Sequence, residues 1–209
     1  MVKHLTYLFI VLSILLVACK PTSGEECRIV GQLPDHSRDG KWVYLVPFIR
    51  PDSMGVDSVK ITDGKFVFTT RKHLMGIIRV ELKSRWGIQD LLVITEPGEV
   101  AVKLDSISSA GGTPQNDLLQ QWKEYTQVYG RQIWICQKTS RTAHQAGDTA
   151  MVSAQKVVMD SLRREYRHYS WRLMDRAASG PLYDFLKQRF PESYQRKMPD
   201  GTVKEIKLD

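Results

Sequence analysis

The amino-acid sequence predicts an α+β fold: an antiparallel β-sandwich or open barrel of about seven strands, then a helical hairpin and a short third helix. Three observations carry this. Short alternating runs between Cys27 and Asp105 are each bounded by Gly, Pro or Asp. Asp57 to Thr70 (DSVKITDGKFVFTT) reads as two such runs around a tight Asp63-Gly64 centre. At Gly111-Gly112-Thr113-Pro114 the apolar period lengthens from that of a strand to that of a helix.

The chain opens with Lys3 and His4 ahead of an apolar run from Leu5 to Val17, too short for a membrane span, so residues 1–18 read as a signal peptide. The run ends Leu16-Val17-Ala18-Cys19, which resembles the bacterial lipobox, whose cysteine is acylated on sulfur and becomes the new N-terminus. Cys19 is therefore the expected lipidation site, palmitate included; the plainer alternative is a secretory leader that leaves Cys19 a simple thiol. Acyl chains contribute about 0.8 kcal/mol per buried CH₂, so the mature chain is expected to be tethered to a membrane without spanning it. Residues 19–26 form the tether, since Lys20 to Glu26 is polar, holds Pro and Gly, and has nothing to bury. Glu25-Glu26 reads as solvated linker and by itself does not choose a membrane or leaflet. The outer membrane of a cell envelope is the expected location.

The β-rich part, residues 27–112, begins with Cys27 to Leu33 (CRIVGQL) and a turn-rich stretch from Pro34 to Gly40. Lys41 to Phe48 (KWVYLVPF) places Trp42, Tyr44, Val46 and Phe48 on one face and Val43 and Leu45 on the other. That predicts a strand covered on both sides, with Pro47 marking a sheet edge or the strand's end. In the hairpin, Val59 and Ile61 alternate with Lys60 and Thr62, and Phe66 and Phe68 with Lys65 and Val67, while Asp-Gly supplies the positive-φ pair of a two-residue turn. Gly76 to Leu82, Leu91 to Thr95 and Glu99 to Asp105 complete the strands, with turns at Lys83 to Gly87 and Glu96-Pro97-Gly98.

In the helical region, residues 113–190, Thr113 is placed to cap the first helix, Pro114 takes its first position and Asp117 meets its dipole. Leu118, Trp122, Tyr125, Tyr129, Ile133 and Cys136 form one apolar stripe. After a polar break from Thr142 to Asp148, Met151, Val158, Leu162, Tyr166, Tyr169 and Leu173 form the stripe of a second helix, which ends at Ser179-Gly180-Pro181. Two such helices with a short connection predict an antiparallel hairpin. Leu182 to Phe190 gives a third helix stopped by Pro191. Residues 191–209 form a tail whose Gly201 to Leu208 run is fit for an edge strand.

The 209 residues hold 30 Lys and Arg against 23 Asp and Glu, a formal charge of +7; losing Lys3 with the leader makes it +6. At 42% apolar and 25% charged the composition is that of an ordinary globular protein. A nucleic-acid partner is not expected, because export separates the two and no recognition motif is present. With Cys19 acylated, Cys27 and Cys136 remain in a compartment that permits disulfides: either they pair, or each is a small buried hydrophobe on its own element. His36, His73, His144 and His168 lack metal-ligand spacing, and there is no C-x-x-C and no G-x-S-x-G elbow. No catalytic residue, metal or cofactor is therefore assigned.

Arg163, Arg164, Arg167, His168, Arg172 and Arg176 cluster on the second helix, with Arg164, His168, Arg172 and Arg176 in an i+4 row. The row is either a stripe that meets anionic headgroups or a solvated face partly paired with Asp160, Glu165 and Asp175. Trp86, in a turn, is a candidate to stack on a sugar ring or a partner, or else completes the core. Trp122, Trp134 and Trp171 read as helix packing residues.

Taken together, DSVKITDGKFVFT, LLVITEPGEVAVKLD and GTPQNDLL resemble a β-rich domain of unknown function found in Gram-negative envelope lipoproteins, often N-terminal to a thioredoxin or AhpC-type peroxiredoxin-like domain. The likeness runs from Cys27 to Leu119, with a weaker one through the helices. The chain departs from the two-domain pattern: nothing after Pro191 has the length of a thioredoxin fold and no W-C-x-x-C occurs, so the family's redox residues have no positions here. The resemblance implies a stand-alone accessory module. The expected function is that of a lipid-anchored, non-enzymatic envelope protein binding another envelope component, protein or glycan. The alternatives are a thiol-redox accessory in which Cys27 and Cys136 cycle, and a membrane-surface binder using the arginine stripe.

Overall fold

Alternation of apolar and polar side chains builds eight strands: β1 (Cys27–Gln32), β2 (Trp42–Pro47), β3 (Asp57–Lys60), β4 (Lys65–Thr70), β5 (Met75–Val80), β6 (Leu91–Ile94), β7 (Gly98–Lys103) and β8 (Ser109–Gly111). They are taken from a computed structural model that describes residues 24–49, 56–81, 90–197 and 202–207. The strands form two separate sheets, β4-β1-β7-β8 and β3-β2-β5-β6, so the fold is a sandwich and not a barrel. Ile29, Phe68, Val100 and Val102 from the first sheet meet Val43, Ile78, Leu91 and Val93 from the second in one buried core. Neighbouring strands are antiparallel except β1 and β7, which run parallel. Gly31 pairs with Phe66, whose ring takes the space of the missing side chain: a Cβ at Gly31 would lie 1.9 Å from Phe66 Cζ.

The expected hairpin is a turn whose arms part. Asp63 and Gly64 take φ values of 51° and 65°, and Thr62 and Lys65 exchange backbone hydrogen bonds of 2.9 and 3.0 Å, so the two-residue turn is as the sequence predicts. Beyond it, β3 pairs with β2 and β4 with β1, in different sheets. Both sheets face one core, so alternation fixes which side chains point inward without fixing which strands pair. The β1–β2 connection locks this corner: Gly64 N donates to the Asp39 carboxylate at 2.8 Å and Gly40 N to the Ile61 carbonyl at 2.9 Å.

Two further expectations are corrected. β2 is not covered along both faces: Val43 and Leu45 are buried, but Trp42 is 44% exposed, with Lys60 Nζ 5.3 Å from its ring. Pro47 ends the strand, as expected. The last alternating run does form a strand, β10 (Val203–Lys207), but it pairs with β9 (Ser193–Lys197) in a two-stranded ribbon instead of extending either sheet. The leader, Cys19 and Trp86 lie outside the described residues.

Helices α1 (Pro114–Gln145), α2 (Thr149–Ala177) and α3 (Pro181–Arg189) follow. A buried polar junction fastens α1 to the sandwich. The Asn116 side chain accepts from Ile94 N at 2.9 Å and donates to Ile94 O at 2.7 Å, extending the edge of β6 with an amide. Thr113 holds the N-cap position, yet its hydroxyl accepts from Asn116 Nδ2 at 2.8 Å. The helix N–H groups are satisfied by Glu96 Oε1 instead, at 2.7 Å from Gln115 N and 3.2 Å from Asn116 N. A second core joins Met75 and Ile94 to Leu119, Trp122, Leu173, Leu182 and Leu186. Asn116 meets Ile94 while Lys123 Nζ lies 3.5 Å from Leu92 O, so α1 runs antiparallel to β6, away from the end where β1 begins.

Candidate functional site

The two long helices meet along a seam that advances by alternate steps of three and four residues. On α1 it holds Trp122, Thr126, Tyr129, Ile133, Cys136, Ser140 and Ala143; on α2 it holds Val152, Gln155, Met159, Leu162, Tyr166, Tyr169 and Leu173. Near the sandwich the seam is aromatic and hydrogen-bonded. Trp122 Nε1 donates to Ser170 Oγ at 3.2 Å, Thr126 Oγ1 and Tyr166 Oη are 2.8 Å apart, and the rings of Tyr125 and Tyr169 stack at 3.9 Å. Beyond Tyr129 the character changes. From Gly130 to Gln145, a length of about 24 Å, only Cys136 and Ala143 are buried.

This distal half exposes six large apolar side chains: Val128 (55%), Trp134 (59%), Ile135 (50%), Met151 (41%), Val157 (68%) and Val158 (44%). Trp134 is thus not the packing residue expected, and Met151 and Val158 stand one position off the seam, which passes through Val152 and Met159. A groove of about 550 Å³ lies at the turn end of the hairpin, lined mostly by α1, with Ile135, Lys138 and Thr142 among its residues, and by Asp148 and Met151 where α2 begins. Helical spacing places Ile135 and Met151 in two rows on one face of the hairpin, Val128, Gln132, Ile135, Thr139, Thr142 and Ala146 on α1 and Met151, Ala154, Val158 and Ser161 on α2. Neither row contains a charged residue.

Charge lies around these rows. Between Thr126 and Arg163 the hairpin carries Arg131, Lys138, Arg141, Lys156 and Arg163 against Asp148 and Asp160 alone. Both acids are engaged: Asp148 caps α2 through Met151 N at 2.9 Å, and Asp160 pairs with Arg163 at 2.7 Å. Among the described residues, no carboxylate lies within salt-bridge distance of Arg131, Lys138, Arg141 or Lys156. Lys138 Nζ stands 5.4 Å from the Trp134 ring.

The arginine row predicted from the sequence continues down α2. Arg164, Arg172 and Arg176 are exposed and Arg167 is half-buried. Arg172 Cζ lies 5.7 Å from the Tyr169 ring and Arg167 Cζ 6.0 Å from that of Trp171, while Arg176 Nη1 donates to Gln121 Oε1 at 3.0 Å. The row therefore follows the hairpin's length and is partly used in holding it. Cys27 and Cys136 are free, buried thiols on separate parts of the fold, one between the sheets and one in the helix seam. Burial pushes the Cys27 thiol up to about 11, against a lowering contact with the Glu96 backbone.

Sequence reasoning missed Ile135, Met151 and Val158 as surface residues, because an apolar side chain at helical spacing looks the same whether or not a partner covers it.

Residues 27–119 match the family model of DUF4369, a domain of unknown function. No curated protein and no solved structure matches the chain. Domains of this family occur in envelope lipoproteins, often ahead of thioredoxin-like domains. The matched span holds the sandwich and the junction of Glu96 with Asn116, and it ends in the early turns of α1, before the exposed part of the hairpin. The chain carries a DUF4369 domain at residues 27–119.

Proposed function

We propose that the protein is a lipid-anchored, non-catalytic docking module of the cell envelope that holds another envelope component on its projecting hairpin. The observation that carries this reading is the distal hairpin, where six large apolar side chains are exposed and four of them, Val128, Ile135, Met151 and Val158, share one face. The lipobox at Cys19 and the occurrence of the family in envelope lipoproteins supply the setting. Residues 19–26 reach about 28 Å at full extension and enter the fold at Cys27. Cys27 lies level with Gly98, and Gly98 lies against Thr113 at the start of α1, where an added Cβ would be 3.3 Å from Thr113 Cγ2. An acylated Cys19 would hold this end near the membrane, with the hairpin directed away from it.

The same geometry weighs on the alternatives. A thiol-redox role has Cys27 deep in the core with its thiolate disfavoured, and Cys136 on another part of the fold. The row of Arg164, Arg167, Arg172 and Arg176 runs along the hairpin and nears the tethered end only at Arg176, which is engaged with Gln121. The test is site-specific photo-crosslinking in cells from Ile135, Val158 and, as a control on the outer sheet, Val67. The same envelope component is expected from the two hairpin sites and not from Val67; no crosslink from either hairpin site overturns the docking role. Cys19→Ser is expected to move the protein out of the membrane fraction, and an unchanged distribution overturns the anchor.

A further inference from the structure

We infer that the uncharged face of the distal hairpin seats one amphipathic helix of a partner protein, with acidic residues flanking that helix's apolar stripe. This deepens the docking role and rests on it. The face has the form a third helix requires. Two rows of apolar and small side chains, Val128 to Ala146 on α1 and Met151 to Ser161 on α2, share one face by helical spacing, and the groove at the turn end meets that face at Ile135, Thr142, Ala146 and Met151. The α1 row is about 27 Å long at 1.5 Å per residue, enough for several turns of a helix laid between the rows. Thr139, Thr142, Ala146 and Ala154 are small, so a helix backbone can approach; Ile135, Met151 and Val158 supply the apolar contacts.

The sign of the flanking charge follows from the rims. Arg131 and Lys138 stand three residues beyond Val128 and Ile135 on α1 and Arg164 three beyond Ser161 on α2, while the exposed Glu165, one turn past Ser161, bounds the face at its sandwich end. The two acids of the distal hairpin are already committed to a helix cap and to Arg163. Acidic residues on the incoming helix would meet these cations, whereas a second copy would bring the same basic rims together. The membrane that holds Cys19 lies, on the same reading, at the opposite end of α1.

The test measures binding of labelled synthetic peptides to the full chain in neutral detergent. One peptide carries a Leu and Ala heptad stripe flanked by Glu, a second the same stripe flanked by Lys, and a third Glu flanks with the stripe replaced by Gln. The Glu-flanked stripe peptide is expected to bind at least tenfold more tightly than either control. Its affinity should fall about tenfold between low and physiological salt, and again in Ile135→Asp or Val158→Asp, both surface changes. Equal binding of the Lys-flanked peptide, or no binding of the first, overturns the inference. So does binding of anionic vesicles, or concentration-dependent dimerisation, that Ile135→Asp abolishes. Failure here with hairpin crosslinks intact in cells removes the acidic-helix partner alone; loss of those crosslinks removes the docking role itself.

Discussion

Asn116 does the work of a short piece of strand. It is 1% exposed, and its side-chain amide satisfies both backbone groups of Ile94. Asn116→Ala would strip a buried donor and a buried acceptor of their partners, at about 1–3 kcal/mol for each group left unpaired. We expect a loss of about 3 kcal/mol in urea unfolding, read as a lower midpoint with an unchanged slope; a loss under about 1 kcal/mol would mean that water replaces the amide. Lys123, on the next turns of the same helix, makes a pH-dependent contribution. Burial holds its amine down to about 8 from 10.5, with Glu124 opposing the shift. Below pH 8 both folded and unfolded chains are protonated at this site and the cost of burial is constant. Between about 8 and 10.5 the unfolded chain binds more protons, so this group's contribution to stability rises with pH. Cys27 acts with the opposite sign, because a thiol raised from 9.0 to about 11 loses stability for the fold across that range. Lys123→Met is therefore expected to be more stable than the parent at pH 7, with the difference shrinking toward pH 10.5. Taking the difference between the two proteins cancels the Cys27 contribution.

At the scale of elements, the hairpin divides into a proximal half that belongs to the fold and a distal half that does not. Tyr125, Tyr129, Tyr166 and Tyr169 fill the proximal seam, whereas Ser140, Ala143 and Gln155 line the distal one. Removing residues 131–144 and 150–163 together takes two heptads from each arm and preserves the phase of the seam. We expect the shortened protein to unfold cooperatively with stability within about 1 kcal/mol of the parent, since the deleted part contributes few buried contacts; failure to fold would show that the distal hairpin supports the core. The sequence made the strands legible wherever alternation ran for four residues or more, and β8, at three, fell below that length. It did not reveal that β3 and β4 part between sheets, because inward-facing residues read alike in either. The distal hairpin was misread for a related reason: Trp134, Met151 and Val158 have the spacing of a core, and only the position of the neighbouring helix shows them uncovered. Glu96, Thr113 and Asn116 were visible as parts of motifs, but their mutual hydrogen bonds join segments far apart in sequence and required the fold to be seen.

At the scale of the molecule, the fold has a direction. The chain enters at Cys27, and the start of α1 and the crossover between β4 and β5 lie at that same end: Arg71 pairs with Glu26 at 3.6 Å, and Lys72 follows it. The 32 residues of α1 run from there for about 48 Å. An acylated Cys19 on a tether of about 28 Å or less thus has the tethered end within reach of the bilayer and the hairpin's turn far from it. The prediction concerns distance to lipid. A dye placed on Lys72→Cys or Gln145→Cys, with the two buried native thiols left unlabelled, is incorporated with the lipidated protein into vesicles containing headgroup-labelled acceptor lipid. Energy transfer to the acceptor is expected to be strong from position 72 and several-fold weaker from position 145. Equal transfer would mean that the molecule lies along the membrane, with the hairpin on the lipid and its exposed face unavailable to a protein partner. The reverse order would place the hairpin's turn in the bilayer, and the exposed Trp134 and Ile135 would then be membrane contacts. The expected order leaves that face pointing into the space beyond the membrane, where a helix of another protein can reach it.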